Sequence, residues 1–220
     1  TVKIEVDSPS KNVINLAPNS EINNIIFQGS TATGQTIFNV STSFLPGQAS
    51  TITNCTIGNT DIIFKSTLNS GEYGIVSFNN LTLSYGTSFN HGFDISGSGN
   101  TLVSIADTKI AIISPVEEYV NISGLNNRII FTNFGAVVQT VFGASLNNFI
   151  KIYDGATADI ISTSVDGAVN SINNENTGLG VTMRLNEFNS INATYDIIID
   201  HPTTTGNLRG SISKDKVYIN

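Results

Sequence analysis

Apolar and polar residues alternate over short segments along most of this chain, and this pattern limits the possible folds more than any other feature. Side chains along a β-strand point alternately to opposite faces, so the alternation predicts strands. The predicted strands are Glu21–Gln28, Thr51–Ile57, Asp61–Ser66, Gly74–Ser84, Thr101–Ile113, Tyr119–Ser123, Arg128–Asn133 and Asn148–Asp154. Only five prolines are present to interrupt extended pairing. The sequence therefore predicts an all-β fold.

Pairs of asparagines separate many of these segments. The pairs are Asn23-Asn24, Asn79-Asn80, Asn126-Asn127, Asn147-Asn148 and Asn173-Asn174. Their separations are roughly one or two multiples of a 20–30 residue period, which is typical of solenoids. Asn tolerates the left-handed backbone conformation better than other non-glycine residues. We therefore predict that these pairs form corners that recur once per coil and lead directly into a strand.

The surface chemistry is mostly neutral and polar. The chain has 28 Asn, 24 Ser and 24 Thr, its charged fraction is 12%, and its net charge is −7. The scarcity of Lys and Arg argues against a nucleic-acid partner and against a polybasic membrane-binding surface. No apolar run approaches the length of a membrane span. We expect an extracellular or virion-surface protein, and because the chain starts at Thr1 we expect it to be processed or trimmed.

Two segments resemble the coils of a known superfamily. Asn23–Gly29 and Ser50–Asn59 are similar to coils of the pectate-lyase-like right-handed parallel β-helix superfamily. The resemblance covers about residues 12–180. It implies that residues 1–180 form a right-handed parallel β-helix. Lyases, hydrolases, adhesins and phage tailspikes share this coil pattern, so it implies a fold rather than an activity. An antiparallel β-sandwich remains the alternative, because it also produces alternation and frequent turns.

Stacked coils would bury one face of each strand. The predicted inward positions are Ile25, Phe27, Ile52, Cys55, Ile57, Val76, Leu81, Leu83, Ile122 and Ile150. Cys55 is the single cysteine, so an internal disulfide is excluded, and we expect it to behave as a small buried apolar residue.

Residues 181–220 read as longer alternating segments, and we predict that they form an antiparallel cap or an oligomerisation segment. The apolar stretch Ile197–Ile199 would leave one face of a small sheet uncovered in a monomer. Three copies packed about an axis would cover that face, so we expect a homotrimer. The alternative is that Ile197–Ile199 continue the solenoid of a monomer.

Candidate catalytic motifs are incomplete. Asn59–Asp61, Asn90–Gly92 and Arg128–Ile130 occur in the order of polygalacturonase active-site motifs, which the sequence resembles in part. The Asp-Asp pair of that family is missing, Asn90 replaces a glycine, and Ile130 replaces a lysine. Hydrolysis between two carboxyl groups requires both of them. We therefore expect no hydrolytic or eliminative activity, no cofactor and no metal site.

One short segment combines aromatic, amide and acidic side chains. Aromatic faces stack on sugar rings, and polar groups can fix hydroxyls, so Tyr85, Phe89, His91 and Asp94 are candidate carbohydrate-binding residues. The alternative is a loop packed over the end of the solenoid.

Three functions follow from these observations. The leading hypothesis is a structural and receptor-binding module of a phage or viral appendage, such as a tail fibre or tailspike, or of a bacterial surface fibre, that contacts cell-surface glycans. The second is a polysaccharide depolymerase, either a glycoside hydrolase or a lyase, on the same fold. The third is a structural filament or capsid-decoration subunit without a ligand.

Overall fold

The strands of this protein stack into a parallel β-solenoid of about seven turns. A computed structural model describes residues 2–5, 12–29, 34–58, 60–83, 91–113, 115–175, 181–200 and 217–219, with side chains left undescribed at 91, 199–200 and 217–219. Each pairing among the described strands is parallel. The all-β parallel fold predicted from the sequence is therefore confirmed, and the alternative antiparallel sandwich is excluded.

Three sheets form the walls of the solenoid. The nine-stranded sheet contains, in spatial order, β2 (Asn12–Asn15), β5 (Thr36–Val40), β8 (Ile62–Ser66), β11 (His91–Ile95), β13 (Val116–Ser123), β15 (Leu146–Tyr153), β17 (Asn170–Glu175), β19 (Tyr195–Asp200) and β20 (Val217–Ile219). The seven-stranded sheet contains β18 (Thr182–Ile191), β16 (Thr157–Asp166), β14 (Arg128–Val138), β12 (Asn100–Ile112), β9 (Tyr73–Asn79), β6 (Ser50–Thr53) and β3 (Glu21–Asn23). The four-stranded sheet contains β1 (Val2–Glu5), β4 (Ile25–Gln28), β7 (Thr56–Gly58) and β10 (Thr82–Leu83), and a 3₁₀ turn spans Thr140–Phe142.

One corner of the solenoid repeats a left-handed residue in seven successive turns. These residues, which we call the corner ladder, are Asn24, Asn54, Asn80, Asp107, Asn133, Ser162 and Glu187. Successive members are 25 to 30 residues apart, which confirms the predicted coil period. Several are joined between turns: Asn80 Nδ2 donates to Asn54 Oδ1 at 2.7 Å, and Asn133 Nδ2 donates to Asp107 Oδ1 at 2.8 Å. These hydrogen bonds tie neighbouring turns together at this corner.

The asparagine pairs do not all form corners. Asn24 and Asn80 take the left-handed conformation as predicted. Asn126-Asn127 lies at a turn that leads directly into β14, and the Asn127 N–H donates to the Gly124 carbonyl oxygen at 3.0 Å. Asn147-Asn148 lies within β15 and Asn173-Asn174 lies within β17, so both pairs are part of regular strands. The predicted corner role is therefore wrong for Asn147-Asn148 and Asn173-Asn174, because these two pairs belong to regular strands.

The interior is apolar and rich in aromatic rings. Of the predicted inward residues, eight are buried and two, Ile25 and Leu83, are partly buried against the same core. The rings form a continuous stack with neighbouring centroids 4.9 to 6.2 Å apart, made of Phe27, Phe38, Phe64, Phe78, Phe93, Tyr119, Phe131, Phe134 and Phe149. This stack links the early turns to the later ones through the centre of the fold.

Gly92 is required where this stack passes β11. A Cβ atom at Gly92 would lie 2.7 Å from both the ring and the backbone carbonyl oxygen of Tyr119, closer than real Cβ contacts. The Tyr119 ring is fully buried between neighbouring aromatic rings and cannot swing away. We expect Gly92→Ala to lower the free energy of unfolding by about 1–3 kcal/mol through overpacking. Urea denaturation monitored by circular dichroism would measure this loss.

The control for this prediction is Gly135→Ala. A Cβ atom at Gly135 would meet only the flexible Lys109 side chain at 3.7 Å, so the change there should be within about 0.5 kcal/mol. Equal stability of the two variants would show that Tyr119 does not restrict position 92.

The strands after residue 180 continue the solenoid. β18 pairs in parallel with β16, and β19 pairs in parallel with β17 and β20. The antiparallel pairing predicted for residues 181–220 is therefore wrong for the described strands, because the inward row is extended rather than capped: Ile197 pairs with Ile172 and is fully buried. Residues 201–216 of the predicted cap lie outside the described residues. The homotrimer stays a prediction.

Candidate functional site

The outer face of the seven-stranded sheet carries surface depressions. Alternation places Tyr73 and Ile75 of β9, Leu102 of β12, and Arg128 and Ile130 of β14 on this face, while the residues between them point into the core. The parallel register then aligns side chains from successive turns in rows that run along the solenoid axis. Two adjacent depressions occupy this face.

The first depression, which we call the Tyr73 groove, has a volume of about 380 Å³. Leu45, Gln48, Tyr73, Asn100, Leu102 and Asn126 are among its lining residues. Leu45 and Tyr73 are large apolar side chains that stay 69% and 56% exposed. Exposed aromatic surface next to amide groups matches the composition of ligand-binding sites, in which apolar surface is combined with a few polar groups.

The loop that forms one wall of the Tyr73 groove is fastened to β9. The backbone N–H of Phe44 donates to the Tyr73 carbonyl oxygen at 2.7 Å, and the Tyr73 N–H donates to Ser43 Oγ at 3.0 Å. Gln48 Oε1 accepts the Leu45 N–H at 2.7 Å, which holds the loop turn. On the opposite side, Asn100 Nδ2 donates to the Glu72 carbonyl oxygen at 3.1 Å. The groove walls are thus held by hydrogen bonds in which side chains and backbone groups both take part.

The second depression, which we call the arginine pocket, has a volume of about 390 Å³. Arg128, Ile130, Asp159, Ile161, Arg184 and Asn186 are among its lining residues. At its centre Asp159 is 4% exposed and binds both arginines. Arg128 donates through Nε at 2.6 Å and also pairs through Nη2, while Arg184 Nη1 lies 2.8 Å from the other carboxylate oxygen. The two guanidinium groups compensate the buried carboxylate.

Strand register joins the two depressions. Leu102, which lines the Tyr73 groove, pairs directly with Arg128 of the arginine pocket. In the next row, Ile130 pairs with Asp159, and Asp159 pairs with Arg184. Neighbouring strands are about 5 Å apart. One elongated surface therefore runs from Tyr73 across Leu102 to Arg184, and we call it the outer groove.

Two of the four predicted carbohydrate-binding residues, His91 and Asp94, lie in a different sheet. Tyr85 and Phe89 lie outside the described residues. His91 begins β11, where its backbone pairs with Ile62 and Glu118. Asp94 is buried, its Oδ2 atom is 3.2 Å from Lys65 Nζ, and its Oδ1 atom accepts a hydrogen bond from Ser96 Oγ at 2.6 Å. The role of these residues in carbohydrate binding stays a prediction.

The partial polygalacturonase motifs are divided between sheets. Asp61 precedes β8 and its Oδ2 atom accepts the Gly34 N–H at 2.5 Å, while His91 lies in the same nine-stranded sheet. Arg128 lies in the seven-stranded sheet and pairs with Asp159. Gly92 of the middle motif is explained by its contact with Tyr119. Asn59 and Asn90 lie outside the described residues.

Sequence reasoning missed the outer groove. Along the chain, Asp159 is 31 residues from Arg128 and 25 residues from Arg184, and each separation is close to the length of one coil. That spacing was the available signal, because residues one coil apart become neighbours in a solenoid.

Cys55 is buried, as predicted, and burial raises the pKa of its thiol. The described residues contain no group of three or more His, Cys, Asp or Glu side chains arranged to hold a metal ion. No helix among them is long and apolar enough to cross a membrane. No protein-family model matches the chain, and no curated protein matches it significantly in sequence.

Proposed function

We propose that this protein is a receptor-binding β-solenoid module that contacts cell-surface glycans through the outer groove. The observation that carries the proposal is Tyr73, an aromatic ring 56% exposed in a groove that also contains the amides of Gln48, Asn100 and Asn126. An aromatic face offers stacking area to a sugar ring, while amides both donate and accept hydrogen bonds. A rigid parallel solenoid would hold these groups at fixed spacing along an extended chain.

The surroundings of the groove support an extended ligand over a small one. The outer groove crosses several turns, from β9 to β18, so successive sugar units could contact successive strands. The same face of the sheet also carries hydroxyl groups. Among them, Ser104 Oγ donates to Ser77 Oγ at 2.8 Å. The module would form part of a phage or viral appendage or of a bacterial surface fibre. The proposal includes membership of this module in the pectate-lyase-like β-helix superfamily.

The expected result of Tyr73→Ala is a roughly five- to tenfold weaker affinity for the bound glycan, since loss of a stacking ring corresponds to about 1 kcal/mol or slightly more. The measurement is a screen of the intact chain on a glycan microarray, followed by titration of the glycan that gives the strongest signal. Incubation of that glycan with the protein and analysis of its size would detect a depolymerase.

Tyr195→Ala is the matched control, because Tyr195 is 38% exposed and lies in the nine-stranded sheet away from the groove. It should bind with unchanged affinity. Absence of binding to every glycan tested would argue for a structural role without a ligand, and equal weakening by both substitutions would argue against the Tyr73 groove.

A further inference from the structure

Both arginines that the structure describes converge on one carboxylate, in a chain whose net charge is −7. Asp159 is 4% exposed, and one guanidinium would already balance its charge. Arg128 makes the closer contact, through both Nε and Nη2. Arg184 adds a second positive charge, so the group of three side chains carries a net charge of +1. That surplus charge lies on a surface that otherwise consists mainly of neutral groups.

The surplus charge is accessible to a ligand. The side chains of Arg128 and Arg184 are 45% and 58% exposed, whereas Asp159 is almost completely covered. A guanidinium has five N–H donors, and the contacts to Asp159 involve Nη1 alone of Arg184. The buried carboxylate therefore anchors the arginines from below while donors remain for another acceptor. A guanidinium held in this way loses less side-chain entropy when it binds an anion.

The walls of the arginine pocket suit a ring that carries a charged substituent. Ile130 and Ile161 supply apolar surface, and Asn186 supplies an amide. Arg128 is the register neighbour of Leu102, so the pocket continues directly into the Tyr73 groove. A saccharide bound along the outer groove would place one unit at the aromatic ring and a later unit beside the guanidinium groups.

We propose that Arg128 and Arg184 select anionic glycans, by binding a singly charged carboxylate or sulfate group on a sugar unit in the arginine pocket. This inference rests on the proposed glycan-binding function and names the chemical class of the ligand. Charge-assisted hydrogen bonds from guanidinium to carboxylate or sulfate are stronger than those to a neutral hydroxyl. The selectivity comes from Arg184 more than from Arg128, because Arg128 is more fully engaged with Asp159.

The experiment compares the intact chain with Arg184→Gln on a microarray of neutral glycans printed beside their sialylated and sulfated counterparts. We expect the unaltered protein to bind anionic members at least about tenfold more strongly than their neutral counterparts, and Arg184→Gln to lose this preference. Binding to the anionic members should also weaken as the salt concentration rises. Sialylated and sulfated arms distinguish a carboxylate from a sulfate ligand.

Lys109→Gln is the matched control, because it removes one positive charge from an exposed position of β12 that does not line the pocket. It should keep the preference for anionic glycans. Arg184→Lys retains the charge without the planar fork and should lose part of the preference. Circular dichroism melting would show that each variant is folded.

Equal binding of neutral and anionic counterparts, or a full preference retained in folded Arg184→Gln, would overturn the assignment while leaving the glycan-binding function in place. Binding to no glycan of any charge would overturn both proposals.

Discussion

Replacing Phe149 by alanine is expected to lower the free energy of unfolding by about 3–5 kcal/mol. The Phe149 side chain is fully buried and its ring contacts Tyr119, Phe131 and Phe134 with centroid distances of 5.7, 5.2 and 5.5 Å. Removal of the ring would leave a cavity where β13, β14 and β15 meet, and the three neighbouring rings limit collapse into it. Urea denaturation of the purified protein would measure the loss.

Phe142→Ala provides the control for this substitution. Phe142 is 64% exposed in the 3₁₀ turn, so the same chemical change there should alter stability by no more than about 0.5 kcal/mol. A loss below about 1 kcal/mol for Phe149→Ala would mean that the aromatic stack does not form as described.

Asn127→Leu is expected to destabilise the fold by about 3 kcal/mol. Asn127 is 1% exposed, and its Nδ2 atom lies within 3.2 Å of the carbonyl oxygens of Ile95, Gly97 and Ser123. Its Oδ1 atom accepts the Thr101 N–H at 2.9 Å. Leucine would fill a similar volume but leave these backbone groups unpaired, and each buried group without a partner costs about 1–3 kcal/mol. Thermal and urea unfolding would both report the change.

The adjacent Asn126 is the appropriate comparison, because it is exposed and has the same side chain. Asn126→Leu should leave stability within about 0.5 kcal/mol of the unaltered protein. If both variants unfold at the same denaturant concentration, the hydrogen bonds of the Asn127 amide do not stabilise the fold.

The strand positions and the coil period were predictable because both follow from local chemistry. Alternation near Ile52 and Ile57 identifies an inward face within a single segment. Asn24 and Asn80 could be assigned to corners because Asn tolerates a positive φ angle. These inferences use only a residue and its neighbours in the sequence.

The corner ladder was predicted only in part, since other residue types replace asparagine in its later turns. Asp107, Ser162 and Glu187 take the same left-handed conformation with φ angles of 46° to 56°. A contact from the adjacent turn helps to hold such a residue: Ser162 Oγ donates to Glu187 at 2.6 Å. Sequence propensity cannot detect a corner that contacts from a neighbouring turn help to maintain.

The outer groove could not be predicted from the same local rules. Asp159 is 31 residues from Arg128 and 25 from Arg184, and only the register of three strands brings them together. Tyr73 belongs to no motif that the sequence alone would identify, and the loop beside it comes from earlier in the chain, where the Phe44 N–H donates to the Tyr73 carbonyl oxygen. The pairing of whole turns must be known before either feature becomes visible.

The uneven burial of the turns has a consequence for motion. In the first turn β1, β2 and β3 have mostly exposed or half-buried residues, whereas every residue of β5 is buried. Local opening takes the least free energy where few apolar contacts are lost, so amide hydrogens of the first turn should exchange with solvent faster than those of β5. Opening would then progress inward from that end, one turn at a time. Tyr73, Arg128 and Arg184 lie on later turns, so the outer groove would keep its shape through fluctuations that open the first turn.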